Sequence, residues 1–299
     1  MRTRGIYYLG RVIKMGILTE DMAFEALLNP ATIFWRGNAW TIINASVHEY
    51  NNLKYAYGKL CKFVPETEVD VIDLMKKAVI KHPERNVILA SSPFVYIPEH
   101  SAIAFLHIWN HIEAHVFIRR FCSIITETHQ GFFVDCKIEP IADMRTFAIK
   151  LSKIEGIYNI SAKVFPPNPL FGPLWRSLKD YLRDRNAESL KIQEDSSHGE
   201  PLKTMLPEYV QSVAEGTELK YSPKEPLPIG DAAILMAADG YGTGLVKGRV
   251  GSELVVIRTS ETIRNFSFEK DPNPEKLYDE AISILEKIKR DRHMEHDKK

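Results

Sequence analysis

Cysteine is scarce in this chain of 299 residues. Cys61, Cys122 and Cys136 are too few and too widely spaced for a disulfide framework or a paired-cysteine zinc site. Reduced, buried thiols in a cytosol are the expectation, and with them a cytoplasmic location. No segment approaches the ~18 uninterrupted apolar residues of a membrane helix, so no membrane insertion is expected. Arg11 and Lys14 break the apolar stretch behind Met1-Arg2-Thr3-Arg4, which argues against a secretory leader. Net charge is lacking too: 39 Lys and Arg balance 39 Asp and Glu. Attraction to a polyanion must therefore come from uneven placement of charge. The sequence holds no nucleophile elbow, kinase signature, dinucleotide fingerprint or internal repeat. No catalytic residue and no cofactor is assigned.

What remains is an ordinary globular composition, 44% hydrophobic and 26% charged, long enough for two domains or one large one. Its pattern predicts an α+β fold with a β-rich amino-terminal portion (1–109) and a mixed portion (110–299) containing a linker near 193–203. Gly5 to Ile17 alternates apolar and basic residues as a half-buried strand does. Arg36-Gly37-Asn38 turns a hairpin between Ala31–Trp35 and Trp40–Val47, and Tyr50 to Phe63 reads as a third strand. Val71, Leu74, Met75, Ala78 and Val79 fit a short helix over 70–80.

A second hairpin runs from Val87–Ala90 to Ala102–Leu106 through Pro93 and Pro98. Asn110, with Glu113 three residues on, caps a long helix, and Asp143 caps the next, which runs to a stop at Gly156. The strand at Phe132–Pro140, that helix and the strand from Ile157 to Phe165 read as a βαβ-like unit. Leu170 to Leu190 is a third helix. A short apolar helix over 232–238, a late hairpin and a carboxy-terminal helix behind Asp271-Pro272-Asn273-Pro274 complete the chain.

Three constellations carry possible chemistry. His111 and His115 stand at helical metal-ligand spacing, but Glu113 between them has the wrong offset for a zincin base. Asp135-Cys136-Lys137 has the D-x-K form of a nuclease strand, where a carboxylate holds a divalent metal and the lysine steadies hydroxide. Gly240-Tyr241-Gly242-Thr243-Gly244 resembles a phosphate loop, yet it follows a helix and precedes a strand, which suits a helix stop and a tight turn.

Basic residues cluster instead. Arg119 and Arg120 pair on the long helix, Lys179 and Arg183 belong to a stripe on the third, and Lys247 and Arg249 alternate on a late strand. Six such side chains on one surface are enough for salt-sensitive duplex binding, and they are the phosphate contacts expected here.

The central run, roughly Asn86 to Leu190, resembles the RexA/KwaB-like group of bacterial phage-exclusion proteins in the order of its elements. The matching stretches are Ser92–Ile97 into Ile103–Phe105, Val134–Ile138 ending Glu139-Pro140, and Ile160–Phe165 into Pro166-Pro167-Asn168-Pro169. The resemblance implies a non-enzymatic homodimer. It would bind duplex DNA largely without sequence preference and act in anti-phage defence, beside a possible partner protein. Two alternatives stand next to it: a metal-dependent nuclease using Asp135 and Lys137, and a protein–protein interaction component of a defence or toxin system.

Overall fold

The structure is a computed structural model and describes residues 3–50, 52–165, 182, 184–185, 187–197, 199–217 and 227–291. In chain order it opens with β1 (Arg4–Gly16), α1 (Glu20–Leu28), β2 (Ile33–Trp35), β3 (Asn38–Tyr50), β4 (Leu53–Asp73) and β5 (Ala78–Ile97). Next come β6 (Ala102–Leu106), α2 (Ala114–Thr128), β7 (Val134–Pro140), α3 (Met144–Leu151), β8 (Gly156–Val164) and β9 (Leu190–Asp195). The last elements are α4 (Leu206–Glu215), α5 (Ile229–Ala238), β10 (Gly242–Val250), β11 (Glu253–Arg258), β12 (Asn265–Glu269) and α6 (Pro274–Asp291). The fold is α+β, with two antiparallel sheets.

The larger sheet runs β12-β1-β6-β5-β4-β3-β2. β1 can lie inside it because both faces are apolar: Tyr7 and Leu9 enter one core, Tyr8 and Val12 the other. On one flank β12 pairs with its first half and β7 with its second. α1 and α2 cover one face, setting Leu27, Phe117 and Phe121 against Trp40, Leu60 and Phe94. α6 covers the other, with Leu277, Ala281 and Leu285 on Leu9, Tyr57 and Val95. The smaller sheet runs β11-β10-β8-β9. α3, α4 and α5 pack on one side of it, Phe147, Val210 and Ile234 meeting Ile160, Ala162 and Val246.

A buried arginine fastens the two sheets. Arg11 on β1 is 3% exposed; its Nη1 donates to the His100 carbonyl and its Nε to the Asp239 carbonyl at 3.3 Å, beyond the end of α5. Its guanidinium also lies 5.4 Å from the Tyr241 ring centroid. Gly240 makes this approach possible, since a Cβ there would stand 2.7 Å from Arg11 Cγ and its φ is +84°. The glycine run thus serves as a helix stop and a tight turn.

Several expectations need correction. Residues 70–80 form no helix: β4 and β5 pair out to Asp73 and Ala78 around a tight turn. Pro93 lies within β5, whose turn into β6 falls at 98–101. The long helix has Glu113 at its N-cap, and His107 Nδ1 accepts the Ala114 N–H at 3.2 Å; Asn110 sits in the preceding turn with φ +63°. The βαβ-like unit dissolves, because β7 joins β1 while β8 joins the other sheet. The helix behind Asp143 ends at Leu151, ahead of Gly156. The linker near 193–203 begins as strand β9. β7, β12 and α6 all lie beyond residue 109, yet they complete the larger sheet and its core. The expected helix over 170–190 falls mostly outside the described residues. Among the described residues no helix is long and apolar enough to cross a membrane.

Candidate nucleic-acid interface

Alternation decides which side chains the smaller sheet presents outward. In β10, Val246 and Gly248 turn toward the helices, so Thr243, Leu245, Lys247 and Arg249 share the opposite face. Register extends that face across the sheet: Thr243 lies opposite Lys163 and then Lys191, Leu245 opposite Ser161 and Gln193, Lys247 opposite Asn159 and Asp195. Lys163, Lys191 and Arg249 are exposed and Lys247 is half-buried. None of the four forms an ion pair among the described residues. Arg249 lies 4.5 Å from the Tyr158 ring centroid. Asp195 is the acid within this face. Hydrogen bonds from Gln193 and Asn159 hold its carboxyl below the usual range, and the nearby Lys247 adds to that. Arg258, on the β11 side, pairs with Glu261 at 3.0 Å.

The cationic track continues onto the larger sheet. Lys163 Nζ is 5.5 Å and Lys137 Nζ 4.7 Å from the Phe165 ring centroid, so both ammonium groups gather about one ring. Lys137 in turn lines a groove of about 560 Å³ between α2 and β7, and Arg119 lines its helix side. Glu139 lines the same groove. Burial pushes its carboxyl above the usual range, and Lys137 and Lys163 pull it the other way.

The expected contacts divide accordingly. Arg119, Lys247 and Arg249 reach solvent on this track. Arg120 does not, which corrects the expectation: it is 8% exposed, with its guanidinium 4.5 Å from the Trp35 ring and 5.7 Å from Trp40. Burial lowers its pKa, helped by Arg119 and Arg36. Helical spacing explains the position, because residue 120 falls on the stripe of Phe117, Phe121 and Ile124. Lys179 and Arg183 lie outside the described residues. Sequence reasoning passed over Lys163 and Lys191. The alternation Ile160-Ser161-Ala162-Lys163 carries the signal for the first, and Lys191 was hidden in a segment read as helix end and linker.

The other constellations do not assemble. His115 is exposed and 3.7 Å from Glu113; His111 lies in the turn before α2, and His107 is occupied at the helix start. Among the described residues no three His, Cys, Asp or Glu side chains come together as a metal site. Asp135 accepts the Cys136 N–H at 2.8 Å, and the Ile138 N–H is directed at the Cys122 sulfur. With Pro140 at its end, the free edge of β7 is thereby blunted against pairing with another strand.

A family model matches residues 22–219, described as a domain of unknown function, DUF4747. The chain belongs to the DUF4747 family. The span matched within DUF4747 includes Arg119, Lys137, Lys163 and Lys191, while β10 with Lys247 and Arg249 follows it. No curated protein matches this DUF4747 chain.

Proposed function

We propose that this protein binds duplex DNA through its phosphates, largely without sequence preference, on the open face of the smaller sheet. The observation that carries the reading is the set Lys163, Lys191, Lys247 and Arg249, presented on one sheet face without ion-pair partners among the described residues. Lys163 and Arg249 are separated by the run from Thr243, opposite Lys163, to Arg249, about 20 Å at ~3.3 Å for each residue step. One DNA strand offers about six phosphates over that length. The nearby aromatic rings support phosphate contact more than base stacking, because Tyr158 and Phe165 are already covered by cations. Contacts of this kind fix position on the duplex and carry little sequence information.

A place in anti-phage defence is part of the proposal through the likeness in element order to RexA/KwaB-like proteins, and a cytoplasmic location goes with it. The nuclease alternative gains less support, since Asp135 is engaged with backbone and Lys137 with Phe165. A gel shift with random-sequence duplex DNA at low salt tests the reading. Binding that weakens steeply as salt rises is expected, with the DNA intact in magnesium or manganese. No binding at low salt would overturn it.

A further inference from the structure

A cavity of about 260 Å³ opens where the helices of the smaller sheet meet α6 of the larger one. Four segments build it: the start of α3, the last turn of α4, Arg264 just ahead of β12, and Lys287 with Ile288 on α6. Three of its lining residues are cations, Arg145, Arg264 and Lys287, and one is an acid, Asp143.

The acid is already engaged. As the N-cap of α3, Asp143 accepts the Thr146 N–H at 2.9 Å and the Thr146 hydroxyl at 2.8 Å through one oxygen. Arg264 Nη1 donates to the other oxygen at 2.6 Å. That contact satisfies Arg264 only in part, since its buried Nε has no hydrogen-bond partner. Arg145 and Lys287 are exposed, and neither forms an ion pair among the described residues. The neighbouring surface is different: there Glu261 takes both Lys150 and Arg258, each at 3.0 Å. Three cations set against one carboxylate leave the cavity a surplus of two positive charges. A concave site of one sign focuses its field and concentrates counter-ions.

We propose that this cavity binds a small phosphomonoester. Its phosphate lies among Arg145, Arg264 and Lys287, and its organic part rests against Val213, Ala214 and Ile288. Charge selects the head group: a phosphomonoester carries about −1.5 to −2 near neutral pH on three acceptor oxygens, which matches the surplus. A carboxylate supplies a single charge and would leave one cation uncompensated. Two arginines also suit phosphate, because each planar guanidinium can grip it with paired donors. Size selects the rest. At ~30 Å³ for each water the cavity has room for about nine, enough for a phosphate and one ring but too little for an oligonucleotide. This inference is independent of the DNA reading, because none of these residues belongs to the strands of the basic face.

Isothermal titration calorimetry of the full-length chain with phenyl phosphate and with inorganic phosphate tests it. Phenyl phosphate is expected to bind at a single site and more tightly than inorganic phosphate. Arg145→Gln/Lys287→Gln alters two exposed side chains, so the fold is kept, and it should weaken phenyl phosphate binding at least about tenfold. Lys247→Ala/Arg249→Ala, on the open sheet face, should leave that binding unchanged. Absence of binding at millimolar phenyl phosphate overturns the proposal, as does equal affinity for the two probes. An affinity untouched by Arg145→Gln/Lys287→Gln does the same. A loss produced by Lys247→Ala/Arg249→Ala instead would put the anion on the sheet face, and that too overturns it.

Discussion

His100, in the turn between β5 and β6, gives the molecule a predictable acid sensitivity. Its ring is buried, with Nε2 3.0 Å from Glu286 Oε1 on α6, close enough for the charges to interact though poorly aligned as a hydrogen bond. Burial is the largest influence on it and lowers its pKa. Arg11 and Lys289 act in the same direction and Glu286 opposes them, leaving it at about 4 against an ordinary 6.5. Above pH 6.5 the imidazole is neutral in folded and unfolded chains alike, and stability is at its full value. As pH falls toward 4, the unfolded chain takes up a proton that the folded chain refuses, so stability drops. Below that the loss levels off. At ~1.4 kcal/mol for each pH unit across this interval, the loss is about 3 kcal/mol. Urea unfolding of the wild type and of His100→Asn across the interval isolates the effect. The wild type should lose about 3 kcal/mol relative to the variant on acidification. A stability difference that stays constant with pH would refute the reasoning.

Three further substitutions test the fold. At Gly16, φ is +63° and an added Cβ would stand 1.9 Å from the Phe133 carbonyl oxygen, so Gly16→Ala should cost about 2–5 kcal/mol in thermal or urea unfolding. Gly37→Ala, with φ +76° and nothing within 4 Å, should cost about 1–2 kcal/mol. Arg120→Ala removes the stack on Trp35 and Trp40 and should lower stability by about 1–2 kcal/mol, while leaving the salt dependence of DNA binding unchanged.

Local chemistry made much of this fold legible. Strand β1, the turn at Arg36-Gly37-Asn38 and the Asp143 cap, whose carboxylate accepts the Thr146 N–H at 2.9 Å, could be read directly, although β1 is buried on both faces and not the half-buried strand its alternation suggested. The misread segments share a cause: partners distant in sequence. Val71, Leu74, Met75 and Val79 imitate a helical stripe, but they belong to an outward-facing ribbon whose length follows from β4 pairing with β5. β7 looked like the first strand of a βαβ unit, since nothing nearby reveals that the second half of β1 needs an antiparallel neighbour. Arg120 stood beside Arg119 in sequence, yet one helical step turns it inward to two indoles contributed by β2 and β3. The basic face was half visible, through the alternation of Lys247 and Arg249. Lys163 and Lys191 join it through cross-strand register, which a sequence does not print.

The dependence of DNA affinity on salt measures that face most directly. Each phosphate contact contributes about 0.9 to the slope of log K against log salt concentration. Neutralising Lys163, Lys247 and Arg249 together to alanine should therefore flatten the slope for random duplex DNA by roughly 2 to 3, with the fold intact. An unchanged slope in that triple variant would contradict the assignment of the interface.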